Sequence, residues 1–158
     1  MKSNRQGTAT HREGALRGVI LDIHSVAIRK AVDEALDRLP LEASDIPTLH
    51  TITSKRTSAS GSLAGLTRRI TYDRTLRILP SKIVEDEVVV QKIELYRDMM
   101  LQLSERSRVA VVAHELAHAW LNDNMGPEDS AKREEESDGL ARKWGFAEEL
   151  GALEDETY

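Results

Sequence analysis

Apolar residues recur at helical spacing in two long stretches of this chain and alternate, strand-like, in parts of the region between. From Leu16 to Leu39, the residues Val19, Ile20, Ile23, Val26, Ala27, Ala31, Ala35 and Leu39 keep a largely helical spacing, which predicts an N-terminal helix stopped by Pro40. Thr48-Leu49-His50-Thr51-Ile52-Thr53 is β-branched and alternating, and reads as a strand. Thr57 to Gly65 is rich in Ser, Ala and Gly, the composition of a flexible loop. Arg68 to Leu79 sets Ile70, Tyr72, Leu76 and Ile78 around Asp73-Arg74, which predicts two short strands and a turn. Val88-Val89-Val90 suits a strand, whereas Ile93 to Leu103 looks helical.

The second helical stretch is the better defined. Val109, Val112, Ala113, Leu116 and Trp120 form one apolar stripe, and an amphipathic helix buries such a stripe. Ser104 and Ser107 offer capping hydroxyls before it, while Asn122, Asn124 and Gly126 supply stop signals after it. The helix predicted is roughly 15–20 residues long. Roughly opposite the stripe lies His114-Glu115-Leu116-Ala117-His118, an HExxH sequence. Imidazoles four residues apart are about 40° apart around a helix and ~6 Å along it, so one Zn²⁺ can accept both. Glu115, about 100° from His114, can sit beside a metal-bound water, where a general base belongs.

Catalytic zinc takes three protein ligands and keeps one open position. No histidine follows His118, Leu121 and Asn124 stand where a metzincin continuation needs Gly and His, and the chain has no cysteine. A carboxylate from Glu134-Glu135-Glu136-Ser137-Asp138 remains. Gly126-Pro127-Glu128-Asp129 reads as a turn and helix start, and on the helix that follows Glu134, Asp138, Ala141 and Gly145 share one face. Ala141 and Gly145 are small enough to let that face approach the HExxH helix. Glu134 is therefore favoured as third ligand over Glu135 on the flank and Glu136 on the far side. Asp138, one turn on, is placed to accept the free N–H of a liganding histidine. Lys132, Arg133, Glu135 and Glu136 read as a solvated helix face.

HExxH followed by Glu134 and Asp138 on a second helix resembles the gluzincin metallopeptidases. The compact size is most similar to the minimal single-domain minigluzincins and to the ImmA/IrrE-like peptidases. The resemblance implies His114, His118 and Glu134 as ligands of one Zn²⁺ per chain, Glu115 as general base and acid, and Asp138 as the partner of a liganding histidine. It implies a zinc metallopeptidase that hydrolyses peptide bonds with a zinc-bound water activated by Glu115, acting on a peptide or protein substrate. It further implies an α+β, zincin-like single domain: an N-terminal helix, a short and mostly antiparallel sheet, the HExxH helix and the glutamate-ligand helix. In small members an edge strand of that sheet lines the cleft and pairs with an extended peptide. The alternative is a zinc-binding regulatory or interaction protein of the same fold with little turnover.

Composition narrows the setting. At 158 residues the chain suits one domain, expected over 14–153, after a disordered tail at 1–13 and before an acidic tail at 154–158. With 27 acidic and 22 basic residues, the net charge of −5 gives no electrostatic case for nucleic acid. No signal-like or membrane-spanning apolar run is visible, and without cysteine no disulfide can form, so a cytoplasmic setting is expected. His11, His24 and His50 read as ordinary residues, and Trp120 and Trp144 as core. Tyr72, Tyr96 and Tyr158 are each conceivable oxyanion donors. The acidic tail Glu154–Tyr158 could fold back over the cleft. The sequence assigns no oligomeric state.

Overall fold

A computed structural model describes residues 10–11, 16, 18–126 and 129–157. The chain is a small α+β protein with a mixed five-stranded sheet in the order β1-β2-β3-β5-β4. Strand β1 (Thr10–His11) is a two-residue edge antiparallel to β2 (Ile20–Asp22). Strands β2, β3 (Leu49–Lys55) and β5 (Lys82–Tyr96) run parallel, and β4 (Gly65–Leu79) closes the other edge antiparallel to β5. The sheet is thus not the mostly antiparallel one expected.

The expected N-terminal helix is split. Val19, Leu21 and Ile23 are all buried, a period of two, so the front of the apolar run is strand β2. Helix α1 (Val26–Arg38) starts only at Ser25, whose hydroxyl accepts from the Ile28 amide, and it ends one residue before Leu39-Pro40. The parallel partners β2 and β3 need such a crossover, which a two-residue turn cannot make.

Strand β4 runs unbroken through Asp73-Arg74, and the hairpin turns at Pro80-Ser81 instead. Arg74 forms an ion pair with Asp86 at 3.0 Å across the ladder, so the polar pair that mimics a turn is a cross-strand rung. The expected helix from Ile93 is likewise strand. Ile93 and Leu95 are sealed in the core, and Glu94 and Tyr96 occupy the alternate positions. Only Arg97–Met100 coils, as the single turn α2.

Helix α3 (Glu105–Asn124) is the hub, with Ser104 capping it through the Ser107 amide. Helices α1, α4 (Ser130–Ala141) and α5 (Ala147–Thr157) pack on it, and it packs on β4 and β5. Its burial is wider than one stripe: Ala110, Val111, Ala117 and Ala119 are buried along with Val109, Val112, Ala113 and Leu116. The alanines let neighbouring elements approach closely. A bend at Arg142–Phe146, with Gly145 at φ +103°, separates α4 from α5. Arg38 pins that bend by donating to Gly145 O and Glu149 and lying 4.5 Å from the Phe146 ring centroid. The residues expected as an acidic tail are, through Thr157, the last turn of α5. The expected N-terminal tail lies outside the described residues apart from Thr10–His11, which pair with β2. Among the described residues no helix is long and apolar enough to cross a membrane.

Candidate metal centre

Helix α3 holds His114, Glu115 and His118 by its backbone geometry, and α4 carries Glu134 back across them. Glu134 meets both imidazoles: Oε1 lies 3.0 Å from His114 Nε2 and Oε2 lies 3.0 Å from His118 Nε2. Asp138, one turn further on α4, is 2.7 Å from His114 Nδ1. The two HExxH histidines and the two carboxylates chosen from helical phase therefore lie together.

Arg133 is one of the residues that tie α4 to α3, and it is not a solvated residue but 3% exposed. Its guanidinium donates to Asn122 Oδ1 on α3 at 3.0 Å and to Gly126 O at 2.6 Å. Asn122 in turn donates to Gln91 Oε1 on β5, and Gln91 donates to Ala119 O. A polar chain thus runs from the sheet through α3 to the residue next to Glu134. Asp129 caps α4 by accepting from the Ala131 and Lys132 amides. Adjacent Pro127 and Glu128 lie outside the described residues.

Charge follows from this geometry. Both nitrogens of His114 face carboxylate oxygens, which only accept, so both carry protons. Burial opposes that charge, but the bonds to Asp138 and Glu134 outweigh it and raise the His114 pKa to about 10. Hydrogen bonds from His114 and His118 hold the Glu134 carboxyl far below the usual carboxylate range, against its partial burial. His118 donates through Nε2, and its Nδ1 is buried without a partner among the described residues.

Glu115 is 7% exposed beneath the start of β4. Burial pushes its carboxyl upward, opposed by His114, the Thr67 hydroxyl and His118. Thr67 Oγ1 lies 2.6 Å from Glu115 Oε1 and 3.1 Å from the Glu115 carbonyl oxygen. The strand comes this close because Gly65 has no side chain: a Cβ there would stand 3.0 Å from Val111 Cγ1 and 3.1 Å from Glu115 Cγ.

No protein family, curated protein or solved structure matches this chain. Two imidazoles and a carboxylate are a donor set that suits zinc. Bonds of ~2.0–2.1 Å in tetrahedral array separate ligand atoms by about 3.3 Å, a few tenths more than the contacts here. Among the described residues no group of three side chains is already spread around an ion-sized point. Glu134 instead bonds both imidazoles directly.

Beside these residues lies a cleft of about 310 Å³, lined on its apolar side by Leu63, Met99, Leu103, Val111 and Leu153. Thr157 also lines it, so the end of α5 forms one wall. Glu156 fixes that wall by accepting from the Ser104 amide at 2.9 Å and from the Ser107 hydroxyl at 2.6 Å, at the N-terminus of α3. The other residues noted in the sequence lie elsewhere. His24 sits between β2 and α1 rather than on a helix, and His50 is an exposed β3 residue bonded to Thr51. Tyr72 is exposed on the hairpin, and Tyr96 donates to the buried Glu94 at 2.6 Å, which leaves its hydroxyl committed there. Tyr158 lies outside the described residues. The two tryptophans pack edge to face at 6.5 Å, Trp144 buried and Trp120 only partly so. Thr67, Gly65 and Arg133 were missed because their roles depend on long-range packing that leaves no local motif.

Proposed function

We propose that this protein is a zinc-dependent peptidase of the gluzincin type. The observation that carries the reading is the convergence of His114, His118 and Glu134 with Asp138 behind His114 and a buried Glu115 beside them. His114, His118 and Glu134 would hold the metal, and Asp138 orients His114 through Nδ1. A bound Zn²⁺ supplies Lewis acidity and brings the pKa of water towards ~7. Glu115 supplies the proton transfers, taking a proton from the attacking water and delivering it to the leaving amine. With Oε1 engaged by Thr67, Oε2 is the oxygen left for that exchange.

Strand β4 supports a peptide substrate. Ala64 O accepts from Tyr96 N at 2.8 Å, which makes even-numbered β4 residues the hydrogen-bonded partners of β5. The amides and carbonyls of Gly65, Thr67 and Arg69 then point to the free edge, starting beside Glu115, where an extended chain can add as a further strand. The adjoining apolar cleft offers room for a substrate side chain.

The test is zinc per chain by mass spectrometry, followed by peptide-library cleavage. We expect one zinc in the wild type, loss of it in His118→Ala and Glu134→Ala, and a Glu115→Gln variant that keeps zinc but cleaves at least about 100-fold more slowly. A zinc-loaded wild type that cleaves nothing, with Glu115→Gln indistinguishable from it in peptide binding, would favour the regulatory alternative.

A further inference from the structure

We infer that Thr67 is the positioning residue for Glu115, fixing one carboxylate oxygen so that the other alone exchanges protons in the cleft. The inference rests on the peptidase reading for its catalytic consequence, and on the β4–α3 contact for its geometry.

Thr67 reaches from β4 to α3 with its side-chain hydroxyl. Its hydroxyl lies within hydrogen-bond distance of two oxygens of the same residue, the Glu115 carboxylate at 2.6 Å and the Glu115 backbone carbonyl at 3.1 Å. The backbone contact seats the hydroxyl beside α3, and the carboxylate contact then restricts Glu115 to a narrow range of rotamers. A free glutamate in a cleft has three rotatable bonds and points its carboxylate in many directions, and losing that freedom costs less during catalysis if the fold has already imposed it. The hydroxyl also suits either charge state of the base. It donates to Oε1 when Glu115 is ionised, and its lone pairs and the carbonyl contact remain available when Glu115 carries a proton.

The remaining oxygen is left open. Glu115 Oε2 has no hydrogen bond among the described residues and is not among the sealed, partnerless atoms. Its residue lines the cleft with His114 and Glu134, and a Cβ on Gly65 would lie 3.4 Å from Oε2, which marks the bare strand backbone as its neighbour. A glycine two residues before a hydroxyl-bearing residue, both facing α3, is what lets the strand sit close enough for Thr67 to act. Val at position 67 would fill the same volume without a donor, and Ser would keep the donor without the methyl group.

The experiment compares Thr67→Val and Thr67→Ser in the full chain with two readouts. The first is steady-state cleavage by the zinc-loaded protein. The second is the ¹³C resonance of the Glu115 side-chain carboxyl in the zinc-free protein, assigned through Glu115→Gln. We expect Thr67→Val to keep zinc and KM while kcat falls about 100-fold, the scale of a misplaced catalytic group. Thr67→Ser should recover kcat to within a few-fold, and the Glu115 resonance should move in Val and return in Ser. A kcat in Thr67→Val within about threefold of wild type overturns the inference and leaves the peptidase reading intact. A fall in kcat that Ser fails to restore also overturns it, because packing and not the hydroxyl would then be the cause. If the wild type cleaves no peptide, the peptidase reading fails and the resonance decides. Displacement in Val with recovery in Ser upholds the positioning contact, and an unmoved resonance removes it.

Discussion

If zinc binds as proposed, metal and proton compete for His114, and the competition has a size. In the metal-free protein both ring nitrogens are engaged by carboxylates, at 2.7 Å from Asp138 and 3.0 Å from Glu134, and the pKa is raised to about 10. A zinc ligand must shed the Nε2 proton. At pH 7 only about one molecule in 10³ has done so, a handicap of about 4 kcal/mol at 1.36 kcal/mol per pH unit. The apparent zinc Kd should therefore fall about tenfold for each pH unit between 7 and 9, with close to one proton released per zinc from this residue. Competition against a chromophoric chelator gives the first quantity, and calorimetry in two buffers of different ionisation enthalpy gives the second. Asp138→Asn, which replaces a charged acceptor of the His114 proton, should flatten the slope. A slope below about 0.3 per pH unit, with no proton release, would refute the reasoning. The same shift fixes the sign for the metal-free fold. A raised histidine pKa contributes stability that is complete below about 6.5 and is lost as pH rises through about 10. Glu134, held low, contributes above the ordinary carboxylate range and loses its contribution as pH falls through its folded value.

Other expectations are separable from that one. Asp138→Ala should weaken zinc binding roughly 10- to 100-fold without abolishing it, measured by the same chelator titration. Gly65→Ala would press a Cβ to 3.0 Å from Val111 and 3.1 Å from Glu115 Cγ, an overpacking cost of about 1–3 kcal/mol. Its melting temperature should fall by about 2–12 °C, and an unchanged melting curve would show that β4 yields freely. Arg133→Met removes a buried donor to Asn122 and Gly126, and urea unfolding should show a loss of about 2–4 kcal/mol. Zinc affinity should fall with it if Arg133 sets the reach of Glu134.

The candidate centre was more legible in the sequence than the fold around it. His114, Glu115 and His118 sit on one helix, where spacing fixes their relative positions, and Glu134 and Asp138 on another, where phase selects them. Arg133 escaped because charge suggests solvent, whereas its partners lie across a helix interface that sequence does not display. The strands misread as helix share one cause. Val19–Ile23 and Ile93–Tyr96 have apolar residues that satisfy both periods over a short run, and tertiary pairing with β3 decided between them. Asp73-Arg74 misled in the opposite direction, since a polar pair marks a turn only when no partner strand supplies Asp86 and Glu87 opposite.

The contact of Glu134 with both imidazoles bears on the order of events in the protein's life. Small zinc domains commonly assemble only around their ion, because the ligands repel or stay unsatisfied without it. Here the carboxylate and two protonated ring nitrogens satisfy one another, and Arg133, Asn122 and Gln91 brace the helices independently of any ion. On the proposed zinc reading, folding can finish first and loading come later, as a separate exchange of protons for metal. The fraction of chains that are loaded would then follow metal supply after synthesis, while the amount of folded protein would not.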